Sequence, residues 1–102
     1  MMGQVEENAS LHGQTIPVER VQIGARLEKN LVKVLKALAE YFDITLGDLL
    51  EGIALHAFEH KHPFSEETLK RIAQLKEVYG MNYDASASHR FVEQTTNKKE
   101  EA

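Results

Sequence analysis

The hydrophobic period changes near residue 28, and this change constrains the fold more than any other feature. Apolar residues occupy every second position from 21 to 27 and alternate with polar residues or glycine. A period of two is typical of a β-strand with one buried face. From residue 28 onward, apolar residues recur at helical spacing. The sequence therefore predicts one strand followed by helices.

A single strand needs a partner, because its edges carry unpaired backbone N–H and C=O groups. We find no second strand pattern in the 102 residues, and even an isolated hairpin is only marginally stable in water. The simplest partner is a second copy of the chain, paired antiparallel about a two-fold axis. The predicted core of this homodimer consists of Val21, Ile23, Ala25, Leu27, Leu35, Leu38, Leu50 and Ile53.

Four helices are predicted from apolar spacing and from capping residues at their ends. Their predicted bounds are 28–42, 46–60 after the N-cap Thr45, 66–79 between Ser65 and Gly80, and a short helix to residue 92 after Asp84. The corresponding organisation is a flexible N-terminal arm at 1–17, a core at 18–60, a helical extension at 61–92 and a disordered tail at 93–102.

Charge is unevenly distributed along the chain. The formal net charge is −4, which argues against a protein that coats nucleic acid with a generally basic surface. Residues 19–36 nevertheless contain five basic and two acidic residues. Such a local basic stretch suits contact with an anion on one face, although it is equally what a solvated helix face looks like.

Cysteine content and hydropathy indicate the cellular compartment in which the protein is expected. The chain has no cysteine, so disulfides and thiolate metal sites are excluded. No apolar run approaches the roughly 20 residues that a membrane-spanning helix needs. The polar, acidic start does not have the pattern of a secretory signal. We therefore expect a cytoplasmic protein without membrane contact.

One strand followed by two helices, over residues 18–60, resembles the ribbon-helix-helix family of Arc- and MetJ-like repressors. In that family two subunits pair their strands into a ribbon that enters the major groove of DNA. The resemblance implies a mainly α homodimer with one β-strand per chain, extended by C-terminal helices. It covers under half of the chain and rests on a pattern of elements.

The resemblance also implies which residues contact DNA. The outward, base-contacting side of the ribbon is formed by Arg20, Gln22, Gly24 and Arg26. Arginine binds guanine through two hydrogen bonds and glutamine pairs with adenine, so these side chains suit base contacts. Phosphates are expected at the N-terminus of the second helix, where backbone N–H groups form an anion site. The implied phosphate contacts are Lys29, Thr45, Leu46 and Gly47.

Two functions follow, and neither is catalytic. The first is a DNA-binding transcriptional regulator or antitoxin-like autorepressor, with a second copy and double-stranded DNA as partners. The alternative is a dimeric ribbon-helix-helix interaction protein that has lost DNA binding. Gly24, which offers no side chain for reading, and Asp48, which repels phosphate, favour the alternative. Residues 63–92 form a candidate surface for a protein partner, because their helices are amphipathic.

Three histidines are the only candidate metal ligands, and no cofactor is predicted. His56 and His60 share a helix face, and His62 follows just beyond the helix end. Histidine side chains at such a spacing can bind zinc or nickel. The other interpretation is that they are ordinary surface or packed histidines, because no cysteine joins them.

A second polar group near the C-terminus contains the residue types of a catalytic triad. It comprises Asp84, Ser86, Ser88 and His89. A Ser/His/Asp site is defined by geometry, and nearness in sequence does not supply that geometry. No enzyme activity is predicted from this group.

Overall fold

The computed structural model describes residues 15–94 of the chain. It contains the helices α1 (Lys29–Phe42), α2 (Leu46–Phe58) and α3 (Glu66–Tyr79), followed by one 3₁₀ turn at Ala85–Ala87. The mainly helical character agrees with the sequence, and each of these helices begins and ends within two residues of its predicted bounds. Within the described range, no helix combines the length and the apolar content required for crossing a bilayer.

The prediction of a β-strand at residues 20–27 is wrong. Residues 15–28, here called the extended segment, have no regular secondary structure, and residues 15–94 contain no β-strand. A ribbon-helix-helix fold with one strand per chain therefore does not fit this structure. Alternation with period two requires only an extended backbone, whereas a strand also requires ladder hydrogen bonds. No other part of the described chain supplies them.

Helix α1 is the central element, against which both α2 and α3 pack. It begins at Glu28, whose carboxylate accepts a hydrogen bond from the Leu31 backbone N–H at 2.9 Å. It ends at Asp43, whose N–H donates to the Glu40 carbonyl oxygen and whose left-handed backbone (φ 59°) directs the following N–H, that of Ile44, to the Ala39 carbonyl oxygen. This conformation produces the tight turn between α1 and α2.

The buried core is small and lies where α1 meets α2. Its four hydrophobic residues, each at most 6% exposed, are Val34, Leu38, Ala39 and Leu49. Partly buried residues from the turn and from α3, including Ile44 and Ile72, pack around them. A core of this size leaves much of the chain's apolar surface exposed to solvent, and the largest exposed areas lie outside α1.

Helix α3 has the predicted caps. Ser65 Oγ accepts a hydrogen bond from the Thr68 N–H at 3.2 Å, and Gly80 ends the helix with φ 71°. A positive φ requires little conformational free energy for glycine and more for residues with a side chain, which explains the glycine at this position.

The fourth predicted helix is wrong in length, although its cap is correct. Asp84 accepts hydrogen bonds from both the backbone N–H and the hydroxyl of Ser86, at 3.0 and 2.6 Å. This local bonding gives the backbone an alternative to helix propagation. Only the 3₁₀ turn forms. The predicted arm and tail lie outside the described residues at 1–14 and 95–102.

Candidate nucleic-acid interface

The extended segment presents all of its predicted base-contacting residues to solvent. Arg20, Gln22, Gly24 and Arg26 are exposed. At Gly24, a Cβ atom would meet nothing within 4 Å, so no close backbone approach explains the glycine in this chain. The residues between them are equally exposed, because no described element covers this segment.

Arg20 links the extended segment to α2. Its Nε and Nη2 atoms donate hydrogen bonds to the two carboxylate oxygens of Glu51 at 2.9 and 2.8 Å. These hydrogen bonds lower the pKa of Glu51 and raise the pKa of Arg20. Both side chains remain exposed, so solvent screens the pair. A predicted base contact is therefore brought beside the helix predicted to bind phosphate.

The N-terminus of α2 has the expected cap. Thr45 Oγ1 accepts a hydrogen bond from the Asp48 N–H at 3.0 Å, while Leu46 and Gly47 form the first turn. The backbone N–H groups of the first turn favour an anion. Asp48 is an acid in the same turn, and its charge opposes a second anion. Thr45 therefore has a structural role that does not depend on phosphate.

One side of α1 carries a row of basic side chains. Lys29, Lys33 and Lys36, here called the lysine row, are exposed and recur at intervals of four and three residues, so they share one helix face. A different face of the same helix carries Val34 and Leu38, which are buried in the core. Lys29 was predicted as a phosphate contact, and the two other lysines extend the basic surface along the helix.

Arg26 is paired with a residue near the end of the described chain. Its Nε donates to Glu93 Oε1 at 3.4 Å, and its Nη2 contacts the other carboxylate oxygen. Residues 81–94, here called the C-terminal strap, also contact α1, where the Tyr83 hydroxyl donates to Glu28. Asn30 Nδ2 donates to the carbonyl oxygen of Gly80 at 3.4 Å, where the strap begins.

Sequence reasoning missed Glu51, Tyr83 and Glu93 as neighbours of the candidate site. They lie 31, 55 and 67 positions from the residues they contact. No local pattern connects positions so far apart, because helical and strand periodicities link only near neighbours. Only the packing of the helices reveals these pairs.

The eight residues predicted as a dimer core divide into two groups within one chain. Leu38 is buried, and Leu35 and Ile53 pack against the core. The other members are exposed: Val21, Ile23, Ala25, Leu27 and Leu50.

Helix α2 adds two exposed apolar side chains that were not predicted as interface residues. Leu55 and Phe58 are 63% and 79% exposed. They follow Glu51 by four and seven positions, so they continue the helix face that Arg20 contacts. The extended segment and this face of α2 are therefore neighbouring regions.

An open groove of about 640 Å³ separates α2 from α3. The two helices both pack on α1, whereas their backbones do not approach each other. The walls are mainly apolar and include Phe42, Ile44, Ile53 and Phe64. Gly52 also lines the groove, so its small size does not reflect close contact between helices of this chain.

The candidate histidines do not form a metal centre. His56 Nδ1 lies 2.7 Å from the carbonyl oxygen of Gly52, and therefore donates its proton within the helix. His60 lies beyond the end of α2 in a left-handed conformation with φ 59°. Among residues 15–94, no group of three or more His, Cys, Asp or Glu side chains is arranged to hold a metal ion.

The polar group near the C-terminus is explained by local structure. Hydrogen bonds from Ser86 lower the pKa of the Asp84 carboxyl, because they stabilise its charged form. That carboxylate caps the 3₁₀ turn, and Arg90 Nη1 donates to the Ser86 carbonyl oxygen at 3.2 Å. These contacts stabilise a turn.

Comparison with protein-family models, with curated proteins and with solved structures finds no match to this chain.

Proposed function

We propose that this chain is a cytoplasmic, dimeric DNA-binding protein that acts as a transcriptional regulator or antitoxin-like autorepressor. The lysine row is the observation that carries the proposal. Three cations on one exposed helix face, next to the two arginines of the extended segment, suit the regularly spaced phosphates of duplex DNA. The net charge of −4 argues against a generally basic surface, so the proposal confines DNA contact to this side of the molecule.

The proposed contacts divide into two classes. The lysine row contacts phosphates, which position a protein on DNA without reading its sequence. Arg20, Gln22 and Arg26, which are exposed on the extended segment, contact base edges. An extended peptide can follow a groove of DNA, as the N-terminal arms of several DNA-binding domains do. This arrangement requires no β-ribbon.

The exposed apolar residues support the dimeric state. Val21 and Ile23 are 82% and 80% exposed, and Phe58 on α2 is similarly exposed. Monomeric proteins rarely leave large contiguous apolar surfaces in water. A second copy that covers the apolar side chains of the extended segment and of the neighbouring face of α2 would bury them and leave the arginines free for DNA. Such a dimer would also present two basic surfaces to one duplex.

A salt titration tests the DNA-binding proposal. Duplex DNA from upstream of the coding sequence is titrated with protein at several salt concentrations, and affinity is measured by fluorescence anisotropy. Replacing the lysine row with glutamine should weaken binding and reduce the log–log salt slope by up to about 2.7, at ~0.9 for each phosphate that is no longer neutralised. The matched control replaces three other lysines with glutamine, at positions 61, 70 and 76.

The control separates a specific surface from general charge. Both triple variants carry the same charge, so a general attraction to DNA would weaken equally in the two. Equal slopes in the two variants would contradict the proposed surface. Absence of binding by the unmodified protein at low salt would contradict DNA binding altogether.

The second candidate function is a dimeric interaction protein that does not bind DNA. Two ion pairs favour it, because Glu51 and Glu93 neutralise Arg20 and Arg26. In this function the exposed apolar surface and residues 63–92, which contain α3 and the 3₁₀ turn, would contact protein partners. Self-association without DNA binding in the salt titration is the result that this alternative expects.

A further inference from the structure

The C-terminal strap is a folded element with several attachments to the rest of the chain. Met81 packs against the hydrophobic core at its start. Tyr83 and Phe91 contact each other edge to face, with ring centroids 5.0 Å apart. The 3₁₀ turn at Ala85–Ala87 lies between these two aromatic residues. The chain therefore leaves the end of α3, turns, and brings Phe91 back beside Tyr83.

Two side chains of the strap contact the junction between the extended segment and α1. Tyr83 donates a hydrogen bond to Glu28, the N-cap of α1. Glu93 contacts Arg26, two residues earlier in the chain. The fold of the strap thus delivers a carboxylate to an arginine that belongs to the proposed DNA-binding surface.

Carboxylate and phosphate bind the arginine fork in the same way, through parallel N–H···O hydrogen bonds. Guanine presents two acceptors to the same fork. Arg26 therefore cannot make its full set of hydrogen bonds to Glu93 and to DNA at once. The strap also contacts Glu28, the residue that immediately precedes Lys29 of the lysine row.

We propose that the C-terminal strap is an intramolecular competitor of DNA, in which Glu93 occupies Arg26 until DNA displaces it. This inference rests on the proposed DNA-binding function and adds a mechanism that regulates the same site. The competitor lowers the apparent affinity in proportion to the fraction of molecules in which Arg26 is occupied. Arg26 and Glu93 are both exposed, so the competition is modest and readily reversed.

Replacing Glu93 with glutamine tests the competition. Glu93→Gln removes the charge that holds Arg26, and we expect duplex affinity to rise about two- to fivefold, the range for an exposed ion pair. Glu77→Gln is the matched control, because Glu77 is an exposed carboxylate on α3 and its removal changes the net charge equally. Affinities are compared at one fixed salt concentration.

A double-variant cycle separates competition from changes in general charge. In an Arg26→Ala background, Glu93→Gln should no longer increase affinity relative to Glu77→Gln, because the arginine is absent. The Arg26 Nε–H NMR signal provides a measurement without DNA, and it should shift in Glu93→Gln and stay in place in Glu77→Gln.

The possible outcomes distinguish the inference from the proposed function. Equal affinities of Glu93→Gln and Glu77→Gln, with DNA bound by both, would overturn the competition and leave DNA binding intact. An effect of Glu93→Gln that persists without Arg26 would overturn it as well. Absence of duplex binding by the unmodified protein and by both variants would instead refute the proposed function, and the competition would fall with it.

Discussion

The three-helix body (α1, α2 and α3) and the extended segment contain the same kinds of apolar residue. They differ in how far these residues are exposed to solvent. In α1, Val34 and Leu38 are 3% and 2% exposed, whereas Val21 and Ile23 in the extended segment are 82% and 80% exposed. The body finds neighbours for its apolar face among its own helices. The extended segment finds none in the described chain. The spacing of apolar residues therefore does not by itself determine their burial, which depends on whether another surface is available to cover them.

Truncation of a core residue should give the largest effect and test the comparison directly. Leu38→Ala should lower the free energy of unfolding by about 2–5 kcal/mol, because it removes buried apolar atoms and leaves a cavity. Ile23→Ala should change it by less than about 0.5 kcal/mol in protein dilute enough to be monomeric. Urea denaturation followed by circular dichroism measures both. Comparable destabilisation of the two variants would show that the segment is buried within one chain.

A charge placed in the extended segment should break the proposed dimer. Ile23→Asp should raise the dimer dissociation constant about thirtyfold, equivalent to roughly 2 kcal/mol, if the residue is central to the interface. Val78→Asp is the control, because Val78 is also strongly exposed but lies on α3. Sedimentation equilibrium measures the constants. A monomeric unmodified protein, or equal effects of the two substitutions, would contradict the proposed interface.

Capping residues should matter more in the body than in the strap. Ser65→Ala should destabilise the protein by about 1 kcal/mol, because Ser65 caps a helix of 14 residues that packs on α1. Asp84→Ala should cost clearly less than Ser65→Ala, because its 3₁₀ turn spans only three residues and contains no buried residue. Thermal or urea unfolding compares them, and a larger destabilisation by Asp84→Ala would reverse the comparison.

The hydrogen bond between Tyr83 and Glu28 should contribute less than about 1 kcal/mol to stability, and this contribution should depend on pH. The Tyr83 hydroxyl holds the pKa of Glu28 below its ordinary value of 4.5, so this contribution is full above that pH and disappears as the pH falls through the lowered pKa. Burial and Glu28 raise the pKa of Tyr83 from 10.0 to about 12. The same contribution to stability therefore disappears again as the pH rises from about 10 to 12.

The difference in unfolding free energy between the unmodified protein and Tyr83→Phe measures this contribution. It should be constant near neutral pH and shrink at both extremes. The phenylalanine keeps the aromatic contact with Phe91 and lacks only the hydroxyl. A difference that does not vary with pH would contradict a role for the hydrogen bond.

Capping chemistry explains why the helices could be predicted from the sequence. Thr45, Ser65 and Gly80 act through residues within four positions, and all three have the predicted role in the structure. Apolar residues at helical spacing added the buried face. Both signals are local, so a single sequence contains them.

The extended segment and the candidate site were less predictable, because their interactions are not local. Alternation at residues 20–27 predicted a paired strand, and this prediction was wrong, because no other described part of the chain supplies the ladder hydrogen bonds. The position of the lysine row on one face of α1 follows from helical spacing alone, which is a local signal. The partners of Arg20 and Arg26 lie far along the chain and depend on how the helices and the strap pack. The short 3₁₀ turn shows that a correct cap does not determine helix length.

Glu28 accepts hydrogen bonds from the Leu31 backbone N–H and from the Tyr83 hydroxyl on the same oxygen, Oε1. Fraying of the first turn of α1 and detachment of the strap are therefore linked by one atom. Amide hydrogen exchange at the start of α1 should accelerate whenever the strap detaches, even though the two elements are separated by most of the described chain. Molecules with a loosened strap would then also have a less ordered helix start.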